Sequence, residues 1–186
     1  MSDFVIPVDE EFAPYDHQLA QLRVPPHSTE AESSVLGGLL LDNQAWDRMG
    51  DLVTDGDFYR DEHRRIFRQI RNLLEKAKPA DVVTVAEALD AAGEGEQTGG
   101  LAYLGELAAN TPSAANIRRY AEIVRERAVL RQLVATADEI AADALNPLGR
   151  DAETLLDEAE SKIFKIAEAG AGHNEGFVHI NPLLTQ

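Results

Sequence analysis

From Ser113 to Leu145 the chain runs for 33 residues without a Gly or Pro, far longer than any ordinary strand. Apolar side chains recur along it at positions 117, 120, 121, 124, 128, 133, 134, 137, 140, 141 and 144, which is helical spacing. The pattern predicts one long amphipathic helix, or two nearly collinear ones. Asn146-Pro147-Leu148-Gly149 then reverses the chain. The next stretch, 151–169, places Ala152, Leu155, Leu156, Ala159, Ile163, Ile166 and Ala167 on one face. Two amphipathic helices joined by a short Pro/Gly turn make an antiparallel hairpin, assigned to residues 113–169. A lone hairpin has two faces to hide and one internal partner, so the remainder must dock on its own globular part or on another copy. Self-association through Leu155, Leu156, Ala159, Ile163 and Ile166 is the sharper expectation.

Upstream, residues 23–112 read as a small globular bundle. Pro25 and Pro26 hold an extended entry, and Thr29 with Glu32 has capping-box spacing ahead of Ala31, Val35, Leu36, Leu39 and Leu40. Asp42-Asn43 breaks that helix, and a short one follows with Trp46, Met49 and Leu52 inward. DGDFYR (55–60) is a turn whose Phe58 and Tyr59 plug the core. Ile66, Phe67, Ile70, Leu73 and Leu74 then form a stripe backed by Arg64, Arg65, Arg68 and Arg71. Pro79 stops this helix. Asp81-Val82-Val83 is a candidate scrap of strand, and Thr84 with Glu87 suggests a second capping box before AEALDAAG (86–93). Leu101, Leu104 and Leu107 share one side of a further helix. The fold class is all-α: a small helical bundle followed by a long antiparallel hairpin.

Outside these limits the reading is compositional. Residues 1–22 carry Asp3, Asp9, Glu10, Glu11 and Asp16 and no Lys or Arg, as a disordered acidic arm would. GAGHNEG (170–176) is a Gly-rich linker, and Asn181-Pro182 has the form of a helix start within residues 170–186. A helix start so near the end implies a piece of a longer protein.

Charge and chemistry exclude more than they suggest. With 17 Lys plus Arg against 33 Asp plus Glu, the formal charge is -16, which opposes the phosphate contacts that dominate nucleic-acid affinity. Direct DNA binding is not expected. There is no Cys, hence no disulfide, thiol nucleophile or thiolate zinc site. No apolar run approaches a membrane span and the start is acidic, so the expected location is cytoplasmic. Lys76, Lys78, Lys162 and Lys165 are each followed by Ala, Pro or Ile, so no Walker A phosphate loop exists. No two of His17, His27, His63, His173 and His179 lie one helical turn apart, as an HExxH site requires, and there is no GxSxG elbow. Asp61-Glu62-His63 opens a helix and reads as a solvated first turn rather than a metal or acid–base site. No catalytic, metal or cofactor site is found. Arginines cluster at 60, 64, 65, 68 and 71 and again at 118, 119, 125, 127 and 131. They are either surfaces for an acidic partner or solvated faces making salt bridges such as Arg118 with Glu122.

Four blocks carry a resemblance: PPHSTEAESSVLGGLLLDN (25–43), DFYRDEHRRIF (57–67), GGLAYLGELAANTPSAANIRRYAEIVRERAVLR (99–131) and LLDEAESKIFKIAE (155–168). In order and spacing they resemble the N-terminal region of the hexameric bacterial replicative DNA helicases, the DnaB family, over about residues 23–169. The resemblance implies a non-catalytic module whose hairpins pair between subunits, giving a collar that is a trimer of dimers on a ring of RecA-like motors. ATP and Mg²⁺ belong to that motor, which is missing here; the linker would end in a helix packed on a neighbouring motor. It also implies docking of the C-terminal, helicase-binding domain of primase, with Glu30, Tyr103, Val134 and Ile140 as contacts. A helicase loader is a further candidate partner. Glu30 has a rival role in favouring a helix start, and Val134 and Ile140 in filling the hairpin seam. Two other readings compete: an enzyme, for which a tightly bound metal ion would speak, and a DNA-binding regulator using one arginine-rich helix.

Overall fold

The computed structural model describes residues 24–171, and all regular structure among them is helical. The expected acidic arm (1–22) and nearly all of the expected linker and helix start lie outside the described residues. Seven α-helices follow one another: α1 (Thr29–Leu41), α2 (Trp46–Met49), α3 (Asp61–Glu75), α4 (Val82–Ala91), α5 (Gly100–Ala109), α6 (Ile117–Leu145) and α7 (Ala152–Ala171), with 3-10 turns at Asn43–Ala45, Asp55–Asp57 and Glu96–Thr98.

α1 is the axis of the bundle and packs against α3, α5 and α6. Ala31, Val35, Leu36, Leu39 and Leu40 are buried as the periodicity predicts, but so are Gly37 and Gly38. These two glycines let neighbouring backbone come close. A Cβ on Gly37 would overlap Thr111 Oγ1 and the Leu107 carbonyl, and one on Gly38 would stand 3.0 Å from Ile117 Cδ1. The cap of α1 is Ser28, whose Oγ accepts from the Ala31 N–H at 3.2 Å. Thr29 with Glu32 is therefore not the capping box that the spacing suggested, because the Glu32 side chain is turned into the core.

Two further local expectations change. Asp81-Val82-Val83 is not strand. Asp81 caps α4 by accepting from the Val83 and Thr84 N–H groups, both at 2.9 Å, and the reciprocal bond runs from the Asp81 N–H to Thr84 Oγ1. The capping box is thus Asp81/Thr84, not Thr84/Glu87. Leu104 and Leu107 of α5 are buried, whereas Leu101 is exposed. The residues around Pro79 are tied back to α1 by Asn43, which donates to the Leu39 and Ala80 carbonyls and accepts from the Ala80 N–H at 2.9 Å.

Phe58, Met49, Ile66, Phe67, Ile70, Val85 and Leu89 complete the core, with Phe58 and Phe67 rings 4.7 Å apart. Tyr59 stays at the edge, stacked on His27 at 4.2 Å. α6 is a single helix of 29 residues, about 43 Å at 1.5 Å per residue. Its first half belongs to the bundle through Ile117, Ala121, Val124 and Ala128, so the core crosses the 112/113 division; none of its later residues is buried. There it pairs with α7 across a turn in which Leu148 and Gly149 take positive φ. α7 runs through Gly170 and Ala171, which the composition assigned to the linker.

Replacing Gly37 by Ala forces a methyl group into backbone and side-chain atoms. We expect a loss of about 1–3 kcal/mol, read as a lower thermal midpoint by circular dichroism, although Ala is the better helix former.

Candidate protein-interaction surfaces

Two open surfaces stand out, one on the bundle and one on the hairpin. The first is a groove of about 320 Å³ between the N-terminal turns of α1 and the exposed side of α5, lined by Glu30, Ser33, Tyr103, Glu106 and Leu107 among others. Glu30 is exposed and Tyr103 half-buried, so two of the four expected contacts share one cavity.

What holds Tyr103 was not anticipated. His63 is fully buried, not part of a solvated turn. Its Nδ1 lies 2.7 Å from Glu32 Oε2 and its Nε2 lies 2.8 Å from the Tyr103 hydroxyl. Glu32 is 1% exposed and also accepts from the Tyr59 N–H at 2.6 Å and the Arg60 N–H at 3.4 Å. Burial pushes the Glu32 carboxyl upward, but the hydrogen bonds from His63 and from the two backbone N–H groups outweigh it, holding the group below its ordinary value. Burial also raises the Tyr103 phenol, against the pull of Arg60 and Ser33. The sequence held a signal for this pair. Glu32 stands three, four and seven residues before Val35, Leu36 and Leu39, and His63 likewise before Ile66, Phe67 and Ile70. Each is an ionisable residue in a core register.

The second surface is the outer hairpin. No residue of α7 is buried among those described. Leu155, Ala159 and Ile166 are half-buried toward α6, whereas Leu156 at 70% and Ile163 at 49% are exposed, together with Phe164. The expected self-association set therefore divides between the internal seam and the open face. A cleft of about 370 Å³ near the turn is lined by Ile140, Ala144, Ala152, Leu155, Leu156 and Ala159. Val134 is exposed on α6, beside Leu133. Thus Glu30 and Tyr103 come together, Ile140 joins the hairpin cleft, and Val134 lines neither cavity. Lys162 bonds Asp143 at 2.8 Å and Arg150 bonds Asp143 and Glu158, which ties the two helices by charge.

The arginines are mostly engaged inside the molecule. Arg65 and Arg68 reach Asp61, Glu94 and Asp55; Arg71 reaches Asp55. Arg118 pairs with Glu122 as expected. Arg125 bonds Asp57 at 2.7 Å and the Ala169 carbonyl, while Arg131 donates to the Pro26 and Asp57 carbonyls beneath the Tyr59 ring. These two fasten the root of the hairpin to the bundle. No group of three or more His, Asp or Glu residues placed to hold a metal occurs among the described residues. No described helix is long and apolar enough to cross a membrane.

The family model for the DnaB-like helicase N terminal domain matches residues 24–126. The chain belongs to the DnaB-like helicase N-terminal domain family. Its relatives include the replicative DNA helicase DnaB of Haemophilus influenzae, 46% identical over 161 residues, which are 87% of this chain and 34% of that protein. DnaB of Geobacillus stearothermophilus is 39% identical over 91% of this chain and 37% of its own length. The chain thus spans about a third of the DnaB proteins it matches. The crystal structure of the N-terminal domain of DnaB helicase from Mycobacterium tuberculosis superposes with a TM-score of 0.73 at 38% identity, covering 76% of this chain and 99% of that one. A DnaB-like replicative helicase, solved in a study of its interactions with primase, aligns with a TM-score of 0.63 over 77% of this chain and 32% of that one. At 24% identity that likeness is one of fold. The all-α DnaB N-terminal fold expected from the sequence is the fold observed.

Because the folded state holds Glu32 below its ordinary value of 4.5, its contribution to stability is complete above that value and is lost as pH falls through the depressed one. Glu32→Gln should cost about 1–3 kcal/mol near pH 7. The difference in urea midpoint between the two proteins should shrink as the pH is lowered below 4.5.

Proposed function

We propose that this chain is the collar-forming, primase-docking portion of a hexameric replicative helicase, active in DNA replication by assembly and not by chemistry of its own. The observation that carries this reading is the uncovered outer face of α7. A 20-residue helix with no buried residue among those described and an open row of Leu156, Ile163 and Phe164 is poorly satisfied in one copy. A second copy covering it gives a dimer, and three dimers give the hexameric collar.

In this reading unwinding of duplex DNA belongs to a motor that binds ATP and Mg²⁺, for which this sequence has no phosphate loop. The Tyr103 groove and the outer part of α6 meet the C-terminal domain of primase through Glu30, Tyr103, Val134 and Ile140, and a loader is a further partner. Direct DNA contact plays no part: the charge is -16 and most of the clustered arginines are held by acids or carbonyls of the same chain.

Two measurements test it. Leu156→Glu combined with Ile163→Glu, both exposed and so tolerable to the monomer, should shift the mass seen by multi-angle light scattering from a dimer or larger species to a monomer. An unchanged mass contradicts the hairpin as the interface. Titration calorimetry with a bacterial primase C-terminal domain should show binding, weakened at least tenfold, about 1.4 kcal/mol, by Tyr103→Ala.

A further inference from the structure

The groove beside Tyr103 has carboxylates, hydroxyls and the Asn110 carboxamide in its wall and no cation among its lining residues; Glu30 and Glu106 carry its charge and Leu107 supplies apolar surface. Behind the ring, the Glu32 carboxylate can only accept. Its oxygens receive the Tyr59 and Arg60 N–H groups and face His63 Nδ1. That last contact requires a proton on Nδ1. A ring carrying that single proton has a bare Nε2, which takes the Tyr103 O–H as donor at 2.8 Å. The phenol proton is then turned inward, and the oxygen lone pairs are left to Ser33 and to the groove.

We propose that the buried Glu32–His63 pair sets the polarity of the Tyr103 hydroxyl, so that this hydroxyl presents an acceptor beside the Glu30 and Glu106 carboxylates and the groove selects a segment bringing a cationic hydrogen-bond donor beside an apolar side chain. The proposal rests on the docking reading above and names the chemistry of what docks. Glu32 and His63 are positioning residues here, since neither lines the groove. The charged groups acting on Tyr103 are Arg60, Glu62 and Glu106. Arg60 and Glu62 line a separate small cleft that also includes Tyr103 and bond each other; neither lines the groove, whose charged residues are both acidic.

Glu32→Gln inverts the relay without changing its shape. The amide oxygen still serves the Tyr59 N–H, but the amide N–H₂ now faces Nδ1. Nδ1 becomes the bare nitrogen, Nε2 gains the proton and donates to Tyr103, and the phenol proton turns outward. Long-range ¹H–¹⁵N correlation on the full chain near neutral pH should find His63 protonated on Nδ1 alone, and on Nε2 alone in Glu32→Gln. The binding probes are two helical peptides of one apolar sequence, bearing either a Lys or a Glu. The unaltered protein should prefer the Lys peptide, and Glu32→Gln should weaken that peptide by about three- to tenfold. Tyr103→Phe keeps the ring and the buried pair, and should weaken the same peptide by a similar factor; it carries the test if Glu32→Gln fails to fold by circular dichroism. A proton on Nε2 in the unaltered protein, equal affinity for both peptides, or full affinity of the folded variants for the Lys peptide would each overturn the proposal. The expected ring states and Lys preference, found with a primase C-terminal domain that does not bind, would sustain the proposal and sink the docking reading alone.

Discussion

A carboxylate taken out of water must be repaid in hydrogen bonds, and in this bundle the payment organises the fold. Glu32 sits on the axial helix, yet its partners come from the segment after the 55–57 turn and from α3, and through His63 from α5. One buried group therefore links four segments through hydrogen bonds that a shift of any one of them would break. Hydrophobic contact supplies the bulk of cohesion. The glycines of α1 act in the complementary way, by removing side chains where α5 and α6 must come near.

The hairpin is held on different terms. Its root is fastened by Arg125 and Arg131 to carbonyls and to Asp57, and its outer half by exchanges among Asp143, Arg150, Glu158 and Lys162. Partly exposed ion pairs of this kind contribute little each, and the half-buried seam of Ile140, Leu155, Ala159 and Ile166 is thin. The bundle encloses a continuous core and leaves only single apolar side chains such as Leu41, Val83 and Leu101 in water, whereas no described residue of α7 is buried. This contrast within one chain is the physical ground for reading the hairpin as an assembly element.

The architecture could be read from residue order because its determinants are local. The Gly- and Pro-free run of α6, the Pro147–Gly149 turn and the stripes of α1 and α3 each announce a helix by period alone. What escaped involves pairs far apart in sequence. Nothing local says that Asn43 will clamp Ala80, that Arg131 will reach Pro26, or that Glu32 and His63 will meet. The last was nevertheless marked, since each residue occupies an inward position of its own helix. Treating Glu32 as a cap and His63 as a solvated residue followed short-range habits, and the tertiary pairing overrode both. Of the groove, Glu30 and Tyr103 were reached through family resemblance, while Ser33, Glu106 and the relay behind them needed coordinates.

α6 passes from the bundle into the hairpin without a glycine, a proline or a break in its backbone ladder. Half of the helix is clamped by core side chains and the other half projects with α7 packed along it, as a beam is built into a wall. Bending such a beam costs broken hydrogen bonds, so the projecting half reports the orientation of the wall. Wherever hairpins are brought into register by symmetry, the bundles they carry are aimed by the same operation, and any change of aim must come from the joints between copies rather than from a hinge along α6.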